Sequence, residues 1–169
     1  MRIDQASTVS AAPSGPVSGP QTAAPGTAPN PVHTEEGLFG GTIVLTLDGE
    51  MPVEHLTPGD RIITRDTGVA TLRGITAAVR KLAPVRIKAG SLGHTRPDRD
   101  IALPPATRLH IRDWRAEALF GTPTAMVAAG RLIDGEFIAQ AEPQKITVYR
   151  LAFDGGHIVY ADGLEVAIG

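Results

Sequence analysis

The chain has 169 residues, of which 42% are hydrophobic, and it carries a formal net charge of -2 at pH 7. This length and apolar content suffice for one domain with a single core, and the small negative charge argues against a face that neutralises nucleic-acid phosphates. No stretch reaches the ~18 apolar residues of a membrane-spanning helix, so we expect neither nucleic acid nor a membrane as partner. The absence of cysteine excludes a disulfide framework and thiolate metal ligands.

Residues 1–33 are a run of Ala, Pro, Gly, Ser and Thr with few large apolar side chains. This composition buries too little surface to offset the entropy lost on ordering, so it predicts a disordered tail over 1–33 and one domain over 34–169. A partner-binding segment is the alternative, because Pro-rich sequence favours the extended conformation that grooves bind. The N-terminus lacks the basic start and apolar run of a secretory signal, which favours the cytoplasm.

From Thr42 onward, short β-rich runs alternate with turn residues, a pattern typical of an all-β chain. The run Thr42–Leu47 ends at Asp48-Gly49, a hairpin signal. Further strands are predicted over residues 61–65, 69–75, 85–89, 108–112, 136–139, 145–153 and 157–161. Residues 115–120 have the Ala-rich composition of a short helical turn, and 126–132 are a second candidate. The close spacing of the strands predicts a compact barrel or sandwich.

One turn-to-strand unit occurs twice in the chain. Leu56–Ile62 and Leu132–Ile138 share the frame Leu-x-x-Gly-acid-x-Ile, and each leads into a predicted strand. Two interpretations are open. The repeat marks two halves related by a pseudo-two-fold axis, or it is a coincidence, since so few fixed positions recur by chance in strand-rich sequences.

A series of short motifs runs through the domain in a fixed order. The first are Gly41-Thr42, Asp48-Gly49, Pro52-Val53-Glu54 and Pro58-Gly59-Asp60, and the later ones are Val85–Gly90, Trp114–Gly121 and Ala161-Asp162-Gly163. In order and spacing they resemble the Hint superfamily, the autoprocessing domain of inteins and hedgehog proteins, and in particular its bacterial Hint-domain proteins. The resemblance covers roughly Gly37 to Gly163. It implies an all-β horseshoe of two intertwined, pseudo-two-fold-related subdomains.

The resemblance also shows which catalytic groups this chain lacks. In the family, a cysteine four residues before the Gly-Thr pair attacks its preceding peptide bond, and Gly37 holds that position. A later block of the family carries a hydroxyl and a histidine, for which this chain has Pro104 and Thr107, so the groups that would transfer a proton are missing. Splicing requires a terminal asparagine, whereas the only asparagine here is Asn30. We therefore expect no catalytic residue and interpret five positions as vestigial: Gly37, Thr42, Pro104, Thr107 and His157.

Two histidines are candidates for the missing base. His110 lies three residues after Thr107 in a strand pattern, so the two side chains are expected on opposite faces. His157 follows a Gly-Gly turn near the late histidine of the family, but the usual position, counted back from Ala161, is Gly156. We interpret His157 as a residue at the start of a strand.

Two further clusters contain chemically capable side chains. His94, Asp98 and Asp100 have donor types that ligate metals, but a solvated connection is the simpler interpretation, so we expect no metal and no cofactor. Trp114 lies between Arg112 and Arg115. It is either an aromatic platform for a ligand or partner or a core anchor covered by arginine stems, and we favour the core anchor.

Two functions of different class follow. The first is a catalytically inactive Hint-like domain that serves as a binding or structural module, with another protein as partner through the tail or the former active-site cleft. The second is residual self-cleavage near residues 34–42 through the hydroxyl of Thr34 or Thr42, which would need a base to take its proton. A small-molecule enzyme that uses the old cleft is a third possibility.

Overall fold

The computed structural model describes residues 35–169. The tail predicted over 1–33 and the hydroxyl of Thr34 lie outside the described residues. Within 35–169 the chain forms fourteen strands and one α-helix, and none of its helices is long and apolar enough to cross a membrane. The elements are β1 Leu38–Phe39, β2 Ile43–Thr46, β3 Gly49–Pro52, β4 Arg61–Thr64, β5 Gly68–Thr71, β6 Gly74–Leu82, β7 Val85–Ile87, β8 Ile101–Leu103, β9 Arg108–Ile111, α1 Trp114–Phe120, β10 Ala125–Ala128, β11 Ile138–Gln140, β12 Gln144–Ala152, β13 His157–Ala161 and β14 Leu164–Ile168.

The same order of elements occurs twice along the chain. The first half has the β2–β3 hairpin, a 3-10 turn at Val53–His55, then β4, the long strand β6 and the β7–β8 hairpin. The second half has the β9–β10 hairpin, a 3-10 turn at Ala129–Leu132, then β11, the long strand β12 and the β13–β14 hairpin. The first half adds β5, and the second half adds α1. The two halves are thus variations of one unit.

The two halves exchange strands, so that each half pairs a strand with one from the other. In the first half β4 pairs with β13 through Thr64 and Val159, and in the second half β11 pairs with β7 through Ile138 and Ile87. The two long strands, β6 and β12, form a nine-residue antiparallel ladder. Most remaining strands form one sheet in the order β10-β9-β14-β13-β2-β4-β5, with β3 beside β2. The halves are intertwined, as the resemblance implies.

The repeated sequence unit occupies equivalent places in both halves. Leu56 and Leu132 are buried at the ends of the two 3-10 turns, and Ile62 and Ile138 are fully buried in β4 and β11. The glycines between them, Gly59 and Gly135, both have positive φ values, +101° and +82°. Only glycine adopts such values without strain. Each copy therefore anchors the entry of one exchanged strand.

Sequence patterns misjudged several parts of the chain. Residues 126–132 are not one helical turn, because Ala125–Ala128 form β10 and pair with β9, and only 129–132 are 3-10. This pairing buries Val127, which outweighs the helical preference of the alanines. The strand predicted over 69–75 is interrupted at Leu72, which exchanges backbone hydrogen bonds with Gly59 and Asp60. Strands β1, β8 and β14 and most of β6 were not predicted.

The short helix α1 forms where it was predicted, but its tryptophan is not a core anchor. Asp113 caps the first turn by accepting a hydrogen bond from the Arg115 N–H at 3.0 Å, and Gly121 ends the helix in the left-handed conformation. The Trp114 ring is 68% exposed, with the Arg115 guanidinium 4.9 Å from its centroid. The inward position in this helix belongs to Ala116, which is fully buried. A seven-residue helix has one buried face, and in α1 Ala116 occupies that face.

Candidate functional site

Thr107 is held in place by a turn of buried prolines between β8 and β9. Its N–H donates to the Pro104 carbonyl at 3.1 Å. The carbonyls of Pro105 and Thr107 accept hydrogen bonds at 2.9 and 2.8 Å from Gly130 and Ala129, at the start of the second 3-10 turn. Pro104, Pro105 and Thr107 are all buried. Because its backbone is tied on both sides, the Thr107 hydroxyl has a fixed position.

That hydroxyl lies against the backbone of Gly37, 70 positions earlier in the chain. The Gly37 N–H donates to Thr107 Oγ1 at 3.0 Å, and the Thr107 hydroxyl donates to the Gly37 carbonyl oxygen at 2.8 Å. Both hydrogen bonds are buried. The structure therefore joins the two positions that matter most in the resemblance, those of the nucleophile and of the histidine. The Thr107 hydroxyl connects the two positions through hydrogen bonds to both the N–H and the carbonyl of Gly37.

The space beside Gly37 is filled by β12. Directly after Gly37, the two residues of β1 pair with Tyr149 and Val148. A Cβ atom placed on Gly37 would lie 2.6 Å from the Tyr149 carbonyl oxygen and 2.7 Å from Val148 Cγ1, well inside van der Waals contact. The Gly37 φ of +147° is also a value that side-chain-bearing residues rarely adopt. A cysteine side chain has no place at this position unless the strand moves.

The residue before Gly37 lines a small cleft at the end of the chain. Glu36 Oε2 lies 3.4 Å from Arg108 Nε, and Arg108 Nη2 donates to the Gly169 carbonyl at 3.3 Å. The cleft has a volume of about 110 Å³ and is lined by Glu36, Gly37, Arg150, Leu151, Ala167, Ile168 and Gly169. It thus brings the peptide bond before Gly37 next to the last strand, with charged and backbone groups around it.

The Gly41-Thr42 pair has a structural role. Thr42 is 4% exposed; its N–H donates to the Phe39 carbonyl at 3.2 Å, and its carbonyl accepts from the Val53 N–H at 2.8 Å. The Gly41 N–H donates to Glu54 Oε1 at 2.7 Å. This hydrogen bond lowers the pKa of the Glu54 carboxyl. The pair and Glu54 therefore fasten the turn between β1 and β2.

Comparison with known proteins gives the family. The family model described as the Hint domain matches residues 37–167. This chain belongs to the Hint domain family. No curated protein matches it in sequence.

Solved intein structures share the fold of this Hint domain. The TvoVMA intein is 16% identical with a TM-score of 0.54, over 78% of this chain and 96% of the intein. A DnaB intein from Synechocystis sp. PCC 6803 is 14% identical with a TM-score of 0.53, over 80% and 99%. A splice-inactive variant of the AceL NrdHF class 3 split intein is 15% identical with a TM-score of 0.51, over 80% and 98%. These matches confirm the predicted all-β, Hint-type fold.

His157 lies in a neighbouring depression of the Hint domain and is bound to a carboxylate. Its Nδ1 is 2.8 Å from Asp66 Oδ2, and Phe153 meets the imidazole edge to face at 5.4 Å. Although burial raises the pKa of the Asp66 carboxyl, the hydrogen bonds from the Ile158 N–H and His157 outweigh it and leave that pKa lowered. His157 is thus the first residue of β13, where its ring helps to hold the loop after β4.

His110 points into a different environment from Thr107. Its Nδ1 lies 2.6 Å from Glu165 Oε1, whereas Thr107 bonds to Gly37. Three arginines also approach Glu165, which is only 3% exposed. Sequence reasoning missed this cluster. Its one visible signal was a single carboxylate in the otherwise apolar run Leu164–Ile168.

The loop that contains His94 holds no grouped metal ligands. Asp100 Oδ1 accepts a hydrogen bond from the Ala89 N–H at 2.9 Å, and Asp98 lies beside Gly163. Across residues 35–169, no three His, Asp or Glu side chains are arranged to hold a metal ion. Asp162 forms an ion pair with Arg99 at 2.8 Å. These carboxylates thus fasten the loop to the domain.

Proposed function

We propose that this Hint domain does not cleave itself and serves as a binding module. The observation that carries the proposal is the packing at Gly37, where a side chain would meet the Tyr149 carbonyl at 2.6 Å. An enzyme that lost only its nucleophile would keep a cavity in which the side chain once lay. Here the backbone of β12 fills that volume. The loss of the nucleophile is accompanied by a matching change in the surrounding structure.

The Thr107 hydroxyl is not arranged to replace the missing nucleophile. A hydroxyl attacks a carbonyl only after a base takes its proton. The Thr107 proton points to the Gly37 carbonyl oxygen at 2.8 Å, and its oxygen lone pair accepts from the Gly37 N–H. Only the Gly37 N–H belongs to the Glu36–Gly37 peptide bond that would have to react, because the Gly37 carbonyl is part of the following peptide. Both partners are neutral backbone groups, so neither is a base for the hydroxyl, and the two hydrogen bonds stabilise the intact backbone.

The size of the cleft favours a protein partner over a small-molecule substrate. Sites that enclose a small organic ligand have volumes of about 300–1,000 Å³, whereas the cleft beside Gly37 has about 110 Å³. Its lining of charged side chains and the backbone of residues 167–169 suits an extended peptide that lies across it. The partner that we propose is another protein, bound at this former active-site cleft or through the tail over residues 1–33.

Residual self-cleavage near residues 34–42 is the alternative function. Of its two candidate nucleophiles, Thr42 is 4% exposed within the turn after β1, and Thr34 lies outside the described residues. Cleavage through Thr34 therefore has to be tested by experiment.

Intact-mass measurement of the freshly purified chain, with a tag at its N-terminus, tests the proposal. We expect a single uncleaved mass that added thiol or hydroxylamine does not change, because no ester forms. A fragment that begins near Gly37, with a yield abolished by Thr34→Ala or Thr42→Ala, would establish self-cleavage instead. A Thr46→Ala variant is the matched control, because Thr46 is a buried threonine outside the segment concerned.

A further inference from the structure

Four side chains that carry or can carry positive charge converge on one buried carboxylate. Arg112 Nη2 and Arg96 Nη1 lie 2.8 and 3.2 Å from Glu165 Oε2. His110 Nδ1 and Arg65 Nε lie 2.6 and 3.4 Å from Glu165 Oε1. We call these five residues the Glu165 cluster. Because two guanidinium groups share one oxygen, their charges are held within a few ångströms of each other.

The fold fixes the Glu165 cluster from several directions. The pairing of Val166 with Leu109 places Glu165 beside His110 on adjacent strands, and Arg112 follows directly after β9. Arg65 follows β4, and its N–H donates to the Ile158 carbonyl at 2.8 Å. Arg96 is held in the loop between β7 and β8, where its N–H bonds to Gly93 and its carbonyl accepts from Leu92. The guanidinium groups therefore come together before any ligand binds.

The cluster carries more positive charge than its own carboxylate neutralises. Three arginines against one glutamate leave a formal excess of two positive charges, before any protonation of His110. Among other carboxylates of the domain, Asp66 is paired with His157, Asp162 with Arg99 and Asp113 with Arg115, whereas Asp98, beside Gly163, forms no ion pair within the described residues. Like charges at short range repel one another, and an added anion offsets that repulsion. The excess positive charge therefore favours the binding of an anionic ligand.

The arginines are also incompletely hydrogen-bonded. Within residues 35–169, the buried Nε atoms of Arg96 and Arg112 have no hydrogen-bond partner. A buried N–H without a partner is destabilising. The Glu165 carboxylate alone therefore does not accept hydrogen bonds from all the N–H groups of these arginines. Arg65 and Arg112 are 37% and 33% exposed, so they can present further N–H groups to solvent.

We propose that the Glu165 cluster binds a phosphate group. A phosphomonoester carries about -1.5 to -2 charges at neutral pH and three acceptor oxygens, which matches the excess of two positive charges. Guanidinium N–H groups are strong donors to phosphate oxygens, and the partly exposed Arg65 and Arg112 each keep N–H groups that Glu165 does not accept. Glu165 holds the two guanidinium groups in place. This site does not include Gly37 or Thr107, so the proposal stands whether or not the domain cleaves itself.

Titration of the full chain with inorganic phosphate, and in parallel with O-phosphoserine, tests the proposal. Binding is followed by calorimetry and by the thermal midpoint, against sodium chloride and acetate at matched ionic strength. Ligand that binds only the folded chain raises its stability by RT ln(1 + [L]/Kd), so the midpoint should rise with phosphate and not with chloride. Arg65→Gln and Arg112→Gln should each weaken binding about tenfold, equivalent to ~1.4 kcal/mol.

Arg73→Gln is the matched control, because Arg73 is an exposed arginine in an ion pair with Asp154 elsewhere on the surface. Binding of either phosphate ligand that is lost in the two cluster variants and kept in Arg73→Gln supports the site. Equal stabilisation by all salts, tighter binding of acetate, or binding unchanged by the cluster variants overturns it. If Arg112→Gln fails to fold, the more exposed Arg65→Gln decides between these outcomes.

Discussion

Replacing Gly37 by alanine tests whether strand β12 leaves room for a side chain at Gly37, the position that the family resemblance assigns to the nucleophile. The added Cβ would meet the Tyr149 carbonyl oxygen at 2.6 Å and Val148 Cγ1 at 2.7 Å. The carbonyl belongs to the backbone of β12, the central partner of β1 and β6, so it cannot rotate away as a side chain would. The substitution therefore forces either strand β1 or strand β12 to move.

The size of the effect follows from two separate costs. Overpacking in a fixed environment costs about 1–3 kcal/mol, and a side-chain-bearing residue in a sparsely populated backbone region costs about 1–3 kcal/mol. Together they predict a loss of about 2–6 kcal/mol from the free energy of unfolding. For a domain of this size, that corresponds to a fall of roughly 6–20 °C in the thermal midpoint.

Urea unfolding followed by far-ultraviolet circular dichroism measures the loss, and Gly41→Ala is its control. Gly41 also has a positive φ, +88°, but a Cβ there would have no heavy atom within 4 Å. Gly41→Ala should therefore show only the backbone cost, about 1 kcal/mol. The difference between the two variants isolates the packing at Gly37. Equal losses in both would refute the conclusion that β12 fills the nucleophile position.

Two further predictions concern groups around the same site. Thr107→Val should lower the free energy of unfolding by about 2–4 kcal/mol, because it leaves the buried N–H and carbonyl of Gly37 without partners. Thr107→Ser keeps the hydroxyl and should lower it far less. Similar losses for the two variants in urea unfolding would contradict this. The pKa of Glu54 is lowered from 4.5 by the Gly41 N–H, so its stabilising contribution is present above that pH and disappears as the pH falls through the folded-state pKa. Glu54→Gln keeps an acceptor without the titration, so its unfolding free energy should depend less on pH below 4.5 than that of the parent; parallel curves would exclude this role for Glu54.

Features that depend on a few neighbouring residues, such as turns, could be predicted from the sequence. The Asp48-Gly49 hairpin signal predicts the β2–β3 turn, and the Ala-rich run after Asp113 predicts α1. Both signals act over a few residues. Strand β1 could not be predicted in the same way, because its partner β12 is far away in the chain. Strand β8 pairs with β7 across a long loop, whereas β14 follows β13 in a tight hairpin whose turn signal, Asp162-Gly163, was not used. For β10, the pairing with β9 overrides the local preference.

The site itself depends on contacts that no local pattern contains. The motif order pointed to Gly37 and Thr107 as a pair, but only the fold places the Thr107 hydroxyl on both backbone groups of Gly37. The carbonyl that fills the nucleophile position belongs to Tyr149, which no motif singles out. For Trp114, its aromatic side chain favoured the interior, but the inward position of α1 belongs to Ala116.

Glu165 shows how such a signal can be found. A lone carboxylate in an apolar strand has to meet positive charge or a hydrogen-bond donor once it is buried. That argument predicts a cationic partner, and the structure supplies four. The identity of those partners was beyond sequence reasoning, since they come from three other segments of the chain.

The most direct test of the central claim is the intact mass of a tagged Gly37→Cys variant, measured on its folded fraction with and without hydroxylamine. This substitution restores the side chain of the family's nucleophile. If the site has been rebuilt around Gly37, with Thr107 on the peptide and β12 in the side-chain volume, the variant stays at a single uncleaved mass under both conditions. Release of a fragment that begins at residue 37 would show that only the nucleophile had been lost, and would contradict the account.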